Sequence, residues 1–382
     1  MRTGCPASDP CCEGRISGSA VRSGRRDCQH RLYVIPHSEG ATLTDSVFEG
    51  PAALVVTSIS APNPALQELA AQCKARGYSF YVIGDVPSPA DFRIDGCEFY
   101  SLERQKLSGL KLAELLPLRH YSRKNIGYLL SIEKRASLLI ETDDDNIPSP
   151  EFWNARTRKQ SIASLKGTGW TNVYAYFSDA NIWPRGLPLD AVQVKVPEFE
   201  SLPVTELACP IQQGLADEDP DVDAIYRLLL PLPIQFKRDR RVALGSGAWC
   251  PFNSQNTAWF PEAYPLLYLP SFCSFRMTDI WRSFIAQRIA WENGWSVMFK
   301  GPDVWQERNE HNLMRDFADE VSGYLNNRRI GERLDALKLA PGTDKLGENL
   351  ILCYEELVRM ELIPAKEIAL VQAWVADLAE LR

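Results

Sequence analysis

Thr142-Asp143-Asp144-Asp145-Asn146 sets three carboxylates side by side, directly after the apolar run Ala136-Ser-Leu-Leu-Ile-Glu-Thr142. Adjacent carboxylates repel at neutral pH, and a divalent cation relieves that repulsion. Hard oxygen ligands of this kind suit Mg2+ or Mn2+, which keep open positions for phosphate oxygens. A solvated acidic turn capping the next element is the competing reading. An EF-hand is disfavoured, because its alternating ligands and loop glycine are absent.

Cationic partners for a metal–diphosphate site are on offer in Arg123-Lys124-Asn125, which opens the helix before the acidic strand. They reach the same site only if that helix starts at the binding edge, and otherwise form a surface cluster. Thr57, Ser58 and Asp85 close two earlier apolar runs, where hydroxyl and carboxylate could contact a nucleoside or simply make turns. Arg185 stands between proline and glycine in Ile182-Trp-Pro-Arg-Gly-Leu-Pro188, an apolar loop in which a cation is costly without a partner. Arg276 and Asp279 lie three apart at a helix start, the spacing of a helix cap with a local ion pair. Lys237, Arg238, Arg240 and Arg241 read as a solvated basic loop rather than a phosphate site.

The elements that must carry these residues alternate. Ala52–Ile59, Tyr78–Asp85 and Ala136–Thr142 are short β-rich apolar runs, with Cys97–Leu102 as a further candidate strand. Helical spacing covers Ala65–Arg76 and Arg123–Arg135. That rhythm predicts a parallel α/β sheet, whose ligands sit at the carboxyl ends of its strands. Thr57-Ser58, Gly84-Asp85 and the aspartates therefore converge on one edge. Further on, Thr278–Glu292 is an amphipathic helix and Trp295–Phe299 a strand. Four helices are predicted after Asn312, over Phe317–Leu325, Glu332–Leu339, Leu350–Leu362 and Ala365–Leu381.

Composition narrows the function classes. The 382 residues are 45% hydrophobic and 24% charged, as in ordinary globular proteins. With 49 Asp and Glu against 42 Lys and Arg, the net charge of −7 is unsuited to nucleic acid. The longest uncharged stretch, Val242–Pro261, is studded with polar side chains and is no membrane span. GxSxG, P-loop and GxGxxG motifs are absent, and the four histidines, His30, His37, His120 and His311, leave little for a hydrolase. Four of the ten cysteines crowd the first 28 residues and the rest are scattered singly. Without a secretory h-region, a reduced cytoplasmic protein is expected. Met1–Gln29, rich in Cys, Arg, Gly and Ser, reads as a disordered tail.

Taken together, Val55-Val-Thr-Ser-Ile-Ser-Ala-Pro62, Val82-Ile-Gly-Asp85, Ser122-Arg-Lys-Asn-Ile-Gly-Tyr128, Thr142–Asn146, Ile182–Gly186, Pro251-Phe-Asn-Ser-Gln-Asn-Thr257 and Phe275–Arg282 resemble the glycosyltransferase domain of the STELLO family. The chain is more distantly similar to the reversibly glycosylated polypeptides, the UDP-arabinopyranose mutases. These resemblances imply an α/β fold: a GT-A-like, Rossmann-type mixed sheet flanked by helices, with a C-terminal helical extension. They divide the chain into a tail over residues 1–30, a nucleotide-sugar domain over 31–311 and a helical region over 312–382. They imply a metal-dependent transferase with a UDP-sugar donor, acting in surface polysaccharide or glycan synthesis. Asp143 and Asp145 would hold Mn2+ or Mg2+, while Thr57, Ser58, Asp85, Arg123, Lys124, Asn125 and Asp144 bind the donor. Asp279 matches an acidic residue near the acceptor side and is the candidate base. Arg185 matches the arginine that mutases glycosylate, so mutase chemistry is the alternative. Gln306 stands where mutases carry a histidine, and His311 would replace it as third metal ligand. STELLO proteins are Golgi membrane proteins of plants; with no apolar span here, a cytoplasmic placement is expected. A non-catalytic scaffold, docking a protein partner through the C-terminal helices, is the remaining alternative.

Overall fold

The computed structural model describes residues 50–306 and 312–381; the expectations for the tail over residues 1–30 and for His311 fall outside them. Strand β1 (Ala52–Thr57) leads into helix α1 (Pro64–Arg76), then strands β2 (Ser79–Ile83) and β3 (Glu98–Tyr100). Helix α1 starts where the Asn63 side chain accepts from the Leu66 amide and ends at Gly77, whose φ of 69° suits a residue without Cβ. Two five-residue helices, α2 (Leu102–Lys106) and α3 (Lys111–Leu115), precede α4 (Lys124–Glu133) and β4 (Leu138–Thr142). Strands β3, β2, β1 and β4 pair in that order, all parallel, so their carboxyl ends share one edge.

The second half of the sheet is mixed. It is built from β5 (Asn146–Pro148), β6 (Lys159–Leu165), β8 (Val204–Ala208), β9 (Ile211–Asp217), β10 (Arg241–Leu244), β12 (Asn256–Trp259) and β13 (Val297–Gln306). Two short strands, β7 (Gly169–Trp170) and β11 (Ala248–Trp249), form a separate ribbon. The order β3-β2-β1-β4-β12-β9-β13-β10-β6-β8 continues across the sheet, with β5 added on β13. The mixed α/β sheet flanked by helices is the arrangement expected of a GT-A-like fold. Alternate residues of β1 feed opposite cores: Ala53 and Val55 face one cluster, Ala52, Leu54 and Val56 the other. Both faces are covered, so the strand reads as an unbroken apolar run.

Helices α5 (Ala224–Leu229), α6 (Thr278–Glu292), α7 (Leu313–Asp335), α8 (Leu346–Arg359) and α9 (Glu367–Leu381) complete the fold. Helix α6 occupies the residues its periodicity predicts. The two helices expected over Phe317–Leu325 and Glu332–Leu339 are instead one continuous α7. Its apparent breakers are packing positions. A Cβ on Gly331 would lie 2.9 Å from the Trp170 ring, and Asn327 bonds Trp281 Nε1 at 2.9 Å and the Gly186 carbonyl at 2.8 Å. Helix α9 reaches back across the sequence: Asp377 accepts from the Lys111 and Leu112 amides, both at 2.9 Å, and caps α3. Glu367 accepts from the Ser271 and Phe272 amides, and Trp374 donates to the Pro265 carbonyl at 3.0 Å.

A fully buried ion pair ties the sheet to its helices. Glu141, on β4, takes two bonds from Arg282 Nη1 on α6, at 2.8 and 3.0 Å. Trp259 Nε1 on β12 donates to the same carboxylate at 2.9 Å, and the Tyr128 hydroxyl on α4 donates as well. Arg282 lies over the Trp259 ring at 5.1 Å.

Buried Asp223 caps α5 through the Tyr226 amide at 2.8 Å and accepts from Trp183 Nε1 at 2.7 Å. Burial nevertheless pushes its carboxyl up to about 6; an unfolded aspartate titrates near 3.9. Between those values the folded protein holds a proton that the unfolded chain has released, so stability falls as pH rises. Asp223→Asn removes that slope while keeping an oxygen for Tyr226. In urea unfolding between pH 4 and 7, the stability difference should move toward the variant by about 3 kcal/mol. A difference independent of pH would show that Asp223 stays ionised in the folded state.

Candidate active site

The carboxyl ends of β1 and β4 open into a cleft of about 440 Å3, lined by Thr57, all three aspartates, Arg185, Asp221, Ser254, Arg276, Asp279 and Gln306 among others. The three aspartates have separate partners. Asp144 accepts from the Ser58 hydroxyl at the end of β1, and its backbone carbonyl accepts from Asn63 Nδ2 at 2.8 Å. Asp143 meets Lys124 Nζ at 3.2 Å, and Asp145 accepts from Gln306 Nε2 at 2.9 Å. Lys124 is wholly buried and also donates to the Ser254 carbonyl at 3.1 Å. Although 39% of the Asp143 side chain reaches solvent, the surrounding protein withdraws enough water to push its carboxyl up to about 6. Lys124 opposes that rise and Asp145 adds to it. Desolvation raises Asp144 too, against the Ser58 bond.

Other expected donor-site residues lie apart from the aspartates. Arg123 is buried, bonding Gln105 Oε1 at 2.8 Å and the Leu116 and Pro117 carbonyls at 3.0 Å, so it pins the chain ahead of α4. Asn125 exchanges two bonds of 2.9 Å with the Leu269 backbone. Asp85 accepts from the His120 amide at 2.9 Å and from the Val86 amide at 2.7 Å. Of Arg123, Lys124 and Asn125, Lys124 alone is brought to the acidic motif.

On the opposite wall, Arg185 is clasped by two carboxylates. Nε and Nη2 bond Asp221 at 2.7 and 2.8 Å, and Nη1 and Nη2 bond Asp279 at 3.0 Å each. Nη1 also donates to the Arg276 carbonyl, which commits all five N–H donors. Burial works against the charge, but the two aspartates overcome it and hold the guanidinium well above its ordinary value. Burial likewise opposes ionisation of Asp279, and Arg185 outweighs it, so this carboxyl lies below the usual range. The Ser254 amide adds a bond to Asp279 at 3.1 Å.

The local pair expected between Arg276 and Asp279 does not form; Arg276 bonds Glu320 of α7 at 2.8 Å, and Asp279 belongs to Arg185. Asp221 had gone unnoticed in the sequence, although it sits in the acidic run Asp217-Glu-Asp-Pro-Asp-Val-Asp223, a visible counterpart for a lone buried arginine. Gln306, which stands where the mutases carry a histidine, bonds Asp145, whereas Ser254 carries no such signal. In the basic loop, Lys237 and Arg238 pair with Asp179 and Asp217, and Arg240 bonds Glu200 at 3.3 Å.

Among the described residues, no three His, Cys, Asp or Glu side chains converge as a preformed metal cage. Five carboxylates nevertheless line the cleft against Arg185, Arg276 and the buried Lys124. Two carboxylates completed by phosphate oxygens and water are the usual way Mg2+ is held, and Asp143 and Asp145, which sense each other's charge, fit that donor set.

Removing Arg185 leaves Asp221 and Asp279 buried face to face. Arg185→Met should cost about 3–5 kcal/mol in urea unfolding. A loss below about 1 kcal/mol would mean that the clasp is open in solution.

The model of a family described as STELLO glycosyltransferases matches residues 276–382. Probable glycosyltransferase STELLO2 of Arabidopsis thaliana is 28% identical over 295 residues, which is 71% of this chain and 38% of that protein. Probable glycosyltransferase STELLO1 of the same plant is 29% identical over 287 residues, 69% of this chain and 36% of that protein. This chain thus spans little more than a third of the length of these curated relatives. A solved structure described as a mycobacterial protein is 11% identical with a TM-score of 0.37, over 73% of this chain and 75% of that one, a likeness too low to carry an argument. The resemblance first visible in the sequence blocks therefore extends to whole segments, over which the chain is similar to the STELLO glycosyltransferases.

Proposed function

We propose that this chain is a glycosyltransferase domain that binds a nucleotide-sugar, UDP-linked, in the cleft between the aspartates and Arg185, and that it serves polysaccharide or glycan assembly. One observation carries the reading: a single cleft joins a strand-end acidic motif to a second, independently built acidic wall. Both relatives named above are described as probable glycosyltransferases. A diphosphate entering so acidic a cleft needs a countercharge. Asp143 and Asp145 would hold Mn2+ or Mg2+, with His311 as a third ligand, leaving Asp144 and Thr57 to the nucleoside. When bound, the ion acts as a Lewis acid that offsets charge on the departing diphosphate.

In this reading a bond forms between an acceptor oxygen and the anomeric carbon as the anomeric carbon–phosphate oxygen bond breaks, and the acceptor proton passes to a base. Asp279 suits a positioning role better than that of base, because its oxygens are committed to Arg185 and its basicity is depressed. Arg185 suits a fixed cation better than a sugar carrier, because attack on sugar needs a free nitrogen lone pair. Transfer is therefore favoured over the mutase reading, and an intact cleft over the scaffold reading. Among the described residues no helix is long and apolar enough to cross a membrane. Among the described residues the six cysteines are free thiols, which supports the cytoplasmic placement.

Calorimetry and thermal melting with UDP and Mn2+ test the donor site. Metal-dependent heat should appear with UDP, with stabilisation of about 2.7 kcal/mol at a hundredfold excess over Kd, reversed by EDTA. Asp145→Asn should abolish both effects while raising the melting temperature of the metal-free protein. Full retention of Mn2+-dependent UDP binding in that variant would remove Asp145 from the site. Intact mass after incubation with UDP-sugars should show no adduct; a hexose or pentose lost in Arg185→Lys would reinstate the mutase.

A further inference from the structure

Beside the donor cleft lies a second cavity of about 470 Å3, lined by Asp217, Glu218, Gln235, Arg238, Trp305 and Gln306. We propose that it is a saccharide-binding subsite, in which a sugar ring of the acceptor lies on Trp305 and its hydroxyls bond the surrounding polar side chains. The proposal rests on the glycosyltransferase reading for its role, and on four observations of its own for the site.

Trp305 is 37% exposed, while its strand neighbours Val304 and Gln306 are buried. An indole at the mouth of a cavity offers a broad apolar face to a ligand with both apolar and polar surfaces. Around it stand two carboxylates, two amides and a guanidinium, the planar donors and acceptors that match vicinal hydroxyls. They are held in place: Arg238 bonds Asp217 Oδ2 at 2.6 Å and the Pro302 carbonyl at 3.2 Å, and Gln235 donates to Glu218. Glu218 itself has a φ of 71°, a left-handed conformation that is costly for a residue with a Cβ. Two backbone bonds with Ile234, at 2.9 and 3.1 Å, keep it there.

Charge selects the ligand class. Two carboxylates against one guanidinium make the lining unsuited to a second polyphosphate, whereas a neutral, hydroxyl-rich chain meets no repulsion. The volume is that of an ordinary small-molecule pocket. Position supplies the role. Gln306, 7% exposed, lines both cavities, and it donates to Asp145 while accepting from Gln255 Nε2 at 2.9 Å. A saccharide seated on Trp305 is therefore separated from the donor cleft by one side chain.

Saturation-transfer NMR and fluorescence titration with cellobiose, maltose and xylobiose, each with and without Mn2+ and UDP, test the site. At least one disaccharide should bind saturably, and Trp305→Ala and Glu218→Gln should each weaken it about tenfold or more. Trp305→Phe should retain most of the affinity, and the heat of Mn2+–UDP binding should be unchanged in all three variants. Failure of every disaccharide to bind the parent protein would overturn the proposal, as would binding unaffected by Trp305→Ala. Saccharide binding lost with Trp305, in a protein that shows no Mn2+–UDP heat, supports this subsite while removing the donor reading.

Discussion

The geometry around the cleft depends on a charge pair that water does not reach. Glu141 and Arg282 are 0% and 1% exposed, and either one alone would be an uncompensated charge in the core. Their value lies in direction more than in energy, since an apolar pair of the same shape would bury as well. A carboxylate that accepts from α6, α4 and β12 fixes how those elements rotate about β4. Asp143 follows Glu141 by two residues, and Asp279 precedes Arg282 by three. The two acidic walls of the cleft are thus the outer ends of the same internal bond.

That arrangement explains why so much like charge is tolerated in one place. Each carboxylate at the cleft is bonded to a group on another element: Asp144 to β1, Asp143 to α4, Asp145 to β13, and Asp221 and Asp279 to one shared guanidinium. The bonds hold the aspartates apart without neutralising them all. The cleft keeps an excess of negative charge, which suits a cation and discourages a bare anion.

Much of this was legible in the chain. Apolar β-rich runs ending in Thr57-Ser58, Gly84-Asp85 and the aspartates placed the binding edge, because a parallel sheet buried on both faces leaves little choice of register. Arg185 was recognisable as a buried cation in need of a counterion. Which carboxylates of the chain would meet it was not fixed by local spacing, because Asp221 and Asp279 lie 36 and 94 residues away. Local spacing favoured Asp279 for Arg276, and tertiary packing chose Glu320 instead. Helix α7 was divided too early for a related reason. Gly331 and Asn327 are poor helix formers in isolation, but the Trp170 ring and Trp281 indole leave room for nothing larger or less polar.

The bond from Asp377 to the Leu112 amide spans 265 residues of chain. A ribosome adding about 5–20 residues per second needs on the order of tens of seconds to travel that far. Throughout that interval the start of α3 has no cap, and the Ser271 and Phe272 amides, once made, wait a further 96 and 95 residues for Glu367 to accept them. The nascent first half of the sheet must wait, with part of its apolar surface uncovered, for a helix that has not yet been made. Synthesis of this protein therefore builds in a long period of dependence on whatever shields unfinished chains, lasting at least until α9 is made.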